Sequence, residues 1–378
     1  MSGTRALVLV GGGHAHVEVL RNFAERPPAG VRVTVVLDRR DAIYSGMVPG
    51  SVAGQYRADE LAVDVGALAR RAGAEIVAAP ATRIDPAARR IEIDGRPALA
   101  YDVASLDVGS TVAGAELPGV AEHALATRPI ARFVAAADAL VARARERVRC
   151  RLVVVGAGAG GVELASCFRA RLAREGVRDA AVTLLERGPR VLPAAAARVA
   201  RRVAAALAAR GVAVRTGVRV TRIAADGDAK RLELVTGDAL VCDEVVWVSG
   251  AAPTALVADS PLPHDDAGFL RVRATLQAHG HDDLLAAGDC IAFDPPLAKA
   301  GVHAVRQGPV LARNLRARLA GAPLAPHRPQ RDFLVLLNLG DGSAIGTKWG
   351  LALEGRALFA LKDRIDRRWM ARYRTDRP

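Results

Sequence analysis

Short apolar blocks rich in β-branched residues recur along this chain, and four of them end in glycine or in a lone carboxylate. Ala6–Val10 runs into Gly11-Gly-Gly13, Val31–Leu37 ends at Asp38, Leu152–Val155 runs into Gly156-Ala-Gly158, and Ala181–Leu185 ends at Glu186. Unbroken apolar runs of this length predict buried strands. After each glycine cluster the pattern turns helical. The unit so predicted is strand, tight turn, helix. It gathers backbone N–H groups and a helix N-terminus at one point, where a pyrophosphate can sit.

The two glycine clusters differ. Gly156, Gly158 and Gly161 complete a G-x-G-x-x-G, whereas Gly11 and Gly13 fill only the first two positions and His16 stands at the third. That third glycine normally lets helix and strand approach closely, so the first turn is expected to pack differently. Each cluster is followed by a second strand with an acidic end, Asp38 or Glu186, suited to the two ribose hydroxyls of an adenosine. Two such units, at Gly11 and Gly156, imply two separate dinucleotide sites.

The order of parts resembles the FAD-dependent pyridine nucleotide-disulfide oxidoreductase superfamily over roughly residues 5 to 320. Three further segments carry the likeness: Asp283–Cys290 with its Gly288-Asp289, Tyr101–Ser110 with Gly109, and Val245–Pro253 with Gly250. The resemblance implies an α/β fold of two Rossmann-like, three-layer ββα domains, the NAD(P)H domain inserted into the FAD domain, plus a small C-terminal α+β segment. The expected bounds are 1–112 and 262–322 for the FAD domain, 113–261 for the NAD(P)H domain and 323–378 for the C-terminal segment.

Cys150, Cys167, Cys242 and Cys290 form no Cys-x-x-Cys, no Cys-x4-Cys and no zinc-ligand spacing, which argues against the disulfide reductases of the superfamily. The better resemblance is to the branch holding the type II NADH:quinone dehydrogenases. Gly11–Val17, Tyr44–Gly50 and Lys362–Arg368 look closest to the flavoprotein domain found fused to selenide, water dikinase.

Residue roles follow from the resemblance. Gly11, Gly13, His14 and Ala15 would hold the pyrophosphate of FAD, Asp38 and Arg39 would flank its adenosine ribose, and Asp289 beside Gly288 would meet its ribityl or phosphate end. Gly109 belongs to the strand closing the first half of that site. Tyr44, Met47 and Pro49, on a loop after the second strand, are candidates for contact with the flavin ring. Lys299, the backbone near Val302 and Gln307, at a helix start, would stabilise the anion formed on reduction. Gly156, Gly158, Gly161, Glu186 and Gly250 would serve NADH; Glu186 disfavours a 2′-phosphate, and the adjacent Arg187 leaves NADPH open. Glu163 would lie near the nicotinamide. His14 or His16 could supply a proton, although a structural place in the first helical turn is the simpler expectation; neither His14-Ala-His16 nor His279-Gly-His281 has a third ligand for a metal.

Composition then narrows the class. With 378 residues, 51% hydrophobic and 25% charged, the chain is neither disordered, collagen-like nor a coiled coil. Its longest uncharged run, Ala42–Tyr56, is too short and too rich in glycine and proline to span a bilayer. The net charge of +13 invites an anionic partner, but only four of the 53 basic residues are lysines, which suggests a coding bias, and 4% aromatics argues against nucleic acid. The local surplus is more informative: from Gly355 to Pro378 eight basic and three acidic residues leave +5 on a segment with apolar positions at helical spacing. That describes a basic amphipathic helix suited to a membrane surface, or alternatively to capping the flavin domain or forming a homodimer. The N-terminus leaves no room for a signal peptide, so a cytoplasmic protein is expected, peripheral on the inner face of the membrane if the helix binds there. The expected function is transfer of reducing equivalents from NAD(P)H through FAD to a quinone-like acceptor. Two alternatives stay open: a soluble oxidoreductase with a small selenium- or sulfur-related acceptor, and a flavin-binding redox sensor with little turnover.

Overall fold

The computed structural model describes residues 4–330 and 332–374; Met1–Gly3, Arg331 and Thr375–Pro378, including the end of the basic segment, lie outside the described residues. The first apolar run forms β1 (Arg5–Val10) and leads through the glycines into α1 (His14–Glu25). The chain returns as β2 (Val31–Val36), then β3 (Glu75–Val77) and β4 (Val103–Leu106). It passes into a second unit with α2 (Ile130–Arg147), β5 (Arg149–Val155), α3 (Ala159–Arg174), β6 (Asp179–Glu186), β7 (Val212–Thr216) and β8 (Glu244–Trp247). Then it comes back to the first unit as β9 (His281–Ala286) and α4 (Gly301–Ala320).

Two parallel sheets result. The first is ordered β9-β4-β1-β2-β3, with Gln277–Ala278 added antiparallel at the β9 edge; the second contains β8-β5-β6-β7, with Leu125–Ala126 beside β8. β1 is the central strand of the first sheet, and Leu7 and Leu9 are fully buried. Each such side chain contributes about 1.5–3 kcal/mol on burial, which is why these strands read as unbroken apolar runs. Each unit also carries a three-stranded antiparallel sheet, Ala81–Asp85 to Arg96–Ala100 in the first and Val220–Asp226 to Ala239–Cys242 in the second. The fold is thus α/β with two three-layer ββα units.

The two passages between units run side by side. Thr111–Val112 pairs antiparallel with Ala251–Ala252, and the Ala113 N–H donates to the Gly250 carbonyl. The expected bound at 112/113 falls at the outgoing passage; that at 261/262 falls in the chain beyond the returning one.

The last segment forms a three-stranded antiparallel sheet, β10 (Val335–Asn338), β11 (Ala344–Lys348) and β12 (Leu351–Gly355), followed by α5 (Arg356–Met370). It bridges both units. Arg210 of the inserted unit donates to Asp341, Ser343 and Glu354, while Arg367 of α5 pairs with Glu60 of the first unit.

Candidate functional site

The carboxyl ends of β1, β2 and β4 converge, so the loops that follow them share one edge of the first sheet. Gly11 adopts φ +90, and a Cβ there would lie 2.5 Å from the Asp107 carbonyl oxygen. A Cβ on Gly13 would overlap the Asp107 carboxyl. α1 has no side-chain cap of its own at Gly13. Asp107 fills that role from the end of β4: its Oδ2 accepts from the N–H of Ala15 at 2.7 Å and of His16 at 2.9 Å.

His16 explains the incomplete fingerprint. At the second loop a Cβ on Gly161 would overlap the Gly156 carbonyl oxygen, so helix and strand there are in direct backbone contact. At the first loop the His16 ring occupies the corresponding gap. Its Nδ1 lies 2.7 Å from the Gly11 carbonyl oxygen and its Nε2 lies 2.9 Å from Ser105 Oγ. The ring is fully buried, and burial pushes its pKa down to about 4. It is a packing residue, turned away from the cleft.

The cleft over the first loop is lined by Gly11–His14, Asp38, Arg39, Pro80, Asp107–Ser110, Arg128, Thr254, Gly288, Asp289, Gly301 and Ala304. Gly11, Gly13, His14, Asp38, Arg39, Gly109, Gly288 and Asp289 therefore meet at one place. Asp289 accepts from Arg128 Nη2 at 2.8 Å, and the same guanidinium bonds Ser110. The cleft fits a dinucleotide. A side-chain-free backbone leaves room for a diphosphate at the start of α1, Asp38 is exposed at the wall, and His14 Nε2 is a buried nitrogen with no partner. Burial lowers the His14 pKa to about 4, against an opposing pull from Asp289.

Other expected residues lie elsewhere. Tyr44–Gly50 is not a loop but a short 3-10 turn and the helix Val48–Val52, with Met47 and Pro49 packed into the core. Tyr44 stacks on Trp369 at 4.2 Å between centroids and donates to Asp366 at 3.1 Å. Lys299 donates to the Ile291 carbonyl and lies 3.6 Å over the Phe269 ring, away from the cleft lining. Gln307 is buried, and its Oε1 accepts from the Gly288 N–H at 2.7 Å, so it braces the Gly288–Asp289 turn. Val302 is not among the lining residues, although its neighbours in the first turn of α4, Gly301 and Ala304, are.

At the second loop, Glu186 binds backbone with both oxygens: Oε2 accepts from Ala157 N–H at 2.9 Å and Oε1 from Gly188 N–H at 2.8 Å. It ties the loop to the end of β6. Glu163, in the first turns of α3, accepts from the Asn338 N–H at 2.9 Å. Burial, partly offset by the charge of Lys362, pushes its carboxyl up to about 7. Lys362 Nζ donates to Asp366 Oδ2 at 2.7 Å and to the Gly46 carbonyl at 2.6 Å. Burial opposes the Lys362 charge, but Glu163 and Asp366 more than compensate, and its pKa lies above the ordinary lysine value.

Asp107, Arg128, Lys362, Asp366 and Trp369 were not singled out as site residues by sequence reasoning. Lys362 had a signal: one of only four lysines, it stands four residues before an aspartate in an arginine-rich helix.

Residues 5–308 match the family described as pyridine nucleotide-disulphide oxidoreductase. A demethylphylloquinone reductase of Synechocystis is 28% identical over 333 residues, covering 85% of this chain and 81% of that protein. A type II NADH:quinone oxidoreductase of Staphylococcus saprophyticus is 23% identical, covering 97% of this chain and 96% of that protein. Among solved structures, NDH2 of Plasmodium falciparum in complex with NADH aligns with a TM-score of 0.82 at 13% identity, over 98% of this chain and 97% of that one. The sulfide:quinone oxidoreductase of Aquifex aeolicus aligns equally well, at 0.82 and 15% identity, over 98% of this chain and 91% of that one.

Proposed function

The chain belongs to the pyridine nucleotide-disulphide oxidoreductase family, whose members bind FAD and NADH or NADPH, and we propose that it passes their electrons to a quinone-like acceptor at a membrane surface. The curated relatives above are named for quinone or demethylphylloquinone reduction, which supports this reading. The observation that carries it lies in the C-terminal segment. One face of α5 sets Lys362 and Asp366 against Gly46 and Tyr44, next to the cofactor cleft. The other face leaves Leu361 and Ile365 exposed.

When bound, the flavin supplies the two-electron chemistry that links nicotinamide to acceptor. The chain binds and orients. The first glycine loop and the His14 backbone N–H would hold the FAD diphosphate, Asp38 its ribose, and the Arg128–Asp289 pair its middle. Gly156–Gly161 would hold the nicotinamide dinucleotide. A carboxylate at Glu186 that already serves two backbone donors favours NADH, with Arg187 beside it to tolerate NADPH. Quinone reduction by NADH consumes one proton from solution. Glu163, whose carboxyl burial pushes up to about 7, is the group we assign to hold that proton, with the Lys362 ammonium beside it as a fixed charge.

The membrane-facing surface combines hairpin and helix. Trp349 and Leu353 are both 70% exposed, and Leu351, Leu361 and Ile365 are exposed beside them. Leu353 stands opposite Gly346, whose face is covered by Leu358 of α5, so the apolar residues of hairpin and helix share one side. Lys348, Arg356, Arg364 and Arg368 are interleaved with them. Apolar residues among cations suit an anionic lipid interface. Among the described residues no helix is long and apolar enough to cross a membrane. Peripheral contact is the corresponding reading.

Two assays test the proposal. The purified protein should be yellow, bleach with NADH, and be re-oxidised by a soluble quinone faster than by oxygen; faster re-oxidation by polysulfide or selenite would overturn the acceptor assignment. Vesicles containing phosphatidylglycerol should pellet the wild-type chain and not the triple variant W349S/L351S/L353S, and equal pelleting would refute the docking surface. Substitution is preferable to truncation, because Trp369 and Tyr373 pack against the first unit and their loss would damage the cleft.

A further inference from the structure

Asp107 places a buried carboxyl where the chemistry of the cleft calls for an anion from the ligand. It lines the cleft, is 2% exposed, and takes the N–H groups of Ala15 and His16 at the start of α1 with a single oxygen, Oδ2. Its own carbonyl accepts from the Gly13 N–H at 3.0 Å. The other carboxyl oxygen, Oδ1, faces Gly288, where a Cβ would lie 2.5 Å away. Two glycines from opposite ends of the chain, Gly13 and Gly288, are thus needed to accommodate one aspartate. The helix N-terminus that attracts a diphosphate is already half satisfied by a side chain, and a diphosphate seated there must lie beside it.

We propose that Asp107 is a proton-linked positioning residue: its carboxyl takes up a proton at Oδ1 when the FAD diphosphate seats on the first glycine loop, so that flavin affinity falls as pH rises. The inference rests on the assignment of FAD to this cleft. Protonation at Oδ1 leaves Oδ2 free to keep both backbone bonds, so α1 stays capped. The same proton turns a repelling anion into a hydrogen-bond donor toward a phosphate oxygen.

The neighbourhood favours this titration. Burial pushes the Asp107 carboxyl up to about 7 against the two backbone bonds, and the charge of Asp289 adds to the rise. A bound diphosphate, itself fully ionised at neutral pH, adds negative charge in the same direction. From α1, His14 lines the cleft and the His16 ring packs behind it, both with pKa values lowered to about 4, so both stay neutral. From the turn after β9, Asp289 is paired with Arg128, which comes from just before α2, and the Cys290 thiol is pushed up to about 12 by burial. From α4, burial lowers His303, and Gln307 is neutral. Binding favours the protonated carboxyl, so its pKa is higher with flavin than without. Affinity is then constant below the flavin-free value and falls as pH rises through and above it.

The test is FAD release from the holoprotein, read by the recovery of flavin fluorescence on dilution between about pH 6 and pH 9. The expected result is a Kd that rises above neutrality by up to about tenfold per pH unit in the wild type. D107N should retain flavin with a flat profile. A flat wild-type profile, or an unchanged slope in D107N, would overturn the proposal. If D107N does not fold, calorimetric titration of FAD into the wild-type chain in buffers of different ionisation enthalpy decides: proton uptake supports the role and its absence refutes it. A chain that holds no flavin at any pH would instead refute the cofactor assignment, and the proposal with it.

Discussion

Lys362 is the position where a single substitution should cost most. Its side chain is enclosed, at 7% exposure, between Asp366 at 4% and the half-buried Glu163. The ammonium is the cation of this group, with direct bonds to Asp366 and to the Gly46 carbonyl. K362M keeps the aliphatic length and removes the charge, leaving two carboxylates without a counter-ion. Breaking a buried pair from one side costs about 3–5 kcal/mol. The cost depends on pH in a defined direction. Without the ammonium, the Glu163 carboxyl, already pushed up by burial, loses the charge that opposes that rise and lies further above its unfolded value, so folding stability is lost as pH rises above the unfolded carboxylate range. Denaturant unfolding followed by tryptophan fluorescence should therefore show a larger deficit for K362M at about pH 8 than at about pH 5, where protonation relieves part of it. The double variant K362M/D366L should recover most of the loss, because an apolar pair of similar volume leaves no unpaired charge at those two positions. A deficit under about 1 kcal/mol, or one equal at both pH values, would refute the account of Lys362 as the cation that holds this cluster together.

Other substitutions probe separate contacts. G161A places a Cβ against the Gly156 carbonyl oxygen and should raise KM for NADH at least tenfold while flavin content stays normal; an unchanged KM would remove the second loop from nicotinamide binding. H16A deletes a buried ring with two polar contacts and should cost about 2–4 kcal/mol in denaturant unfolding, and H16G should be no better, because the gap that His16 fills is already set by the backbone. R210M removes three contacts between the inserted unit and the C-terminal sheet. It should open α5 to faster hydrogen exchange with little change in flavin content; protection equal to the wild type would mean that the segment is held elsewhere.

Much of the architecture was legible because the signals are local. A buried parallel strand needs an unbroken apolar run, and a turn into a helix beneath a diphosphate needs backbone without side chains. The sequence states both at Ala6–Gly13 and Leu152–Gly158. Gly109, Gly288 and Asp289 reach the same cleft as Gly11 because all follow adjacent parallel strands, whose carboxyl ends lie on one edge. What the sequence did not state was side-chain direction. Met47 and Pro49 are packed inside a short helix, Lys299 turns to the Ile291 carbonyl, and Gln307 braces Gly288. In each case the partner comes from packing rather than from spacing. Glu163 was noticed, but its companions Lys362 and Asp366 lie far along the chain on a segment read for its outer surface. Asp107 was hidden differently. It sits among the apolar residues of a strand end, and only the clash it would make with side chains at positions 13 and 288 reveals why those positions are glycine.

The two faces of α5 have a consequence for how such a chain can be rebuilt. Leu361 and Ile365 look outward, whereas Lys362, Asp366 and Trp369, each one or four residues further on, form part of the inner wall beside Tyr44 and His14. Exchanging this helix with a relative's to change its surroundings would replace both sets at once. Grafts should therefore be made on alternate positions, with 362, 366 and 369 retained, so that a new exterior is added without altering the interior that the first glycine loop depends on.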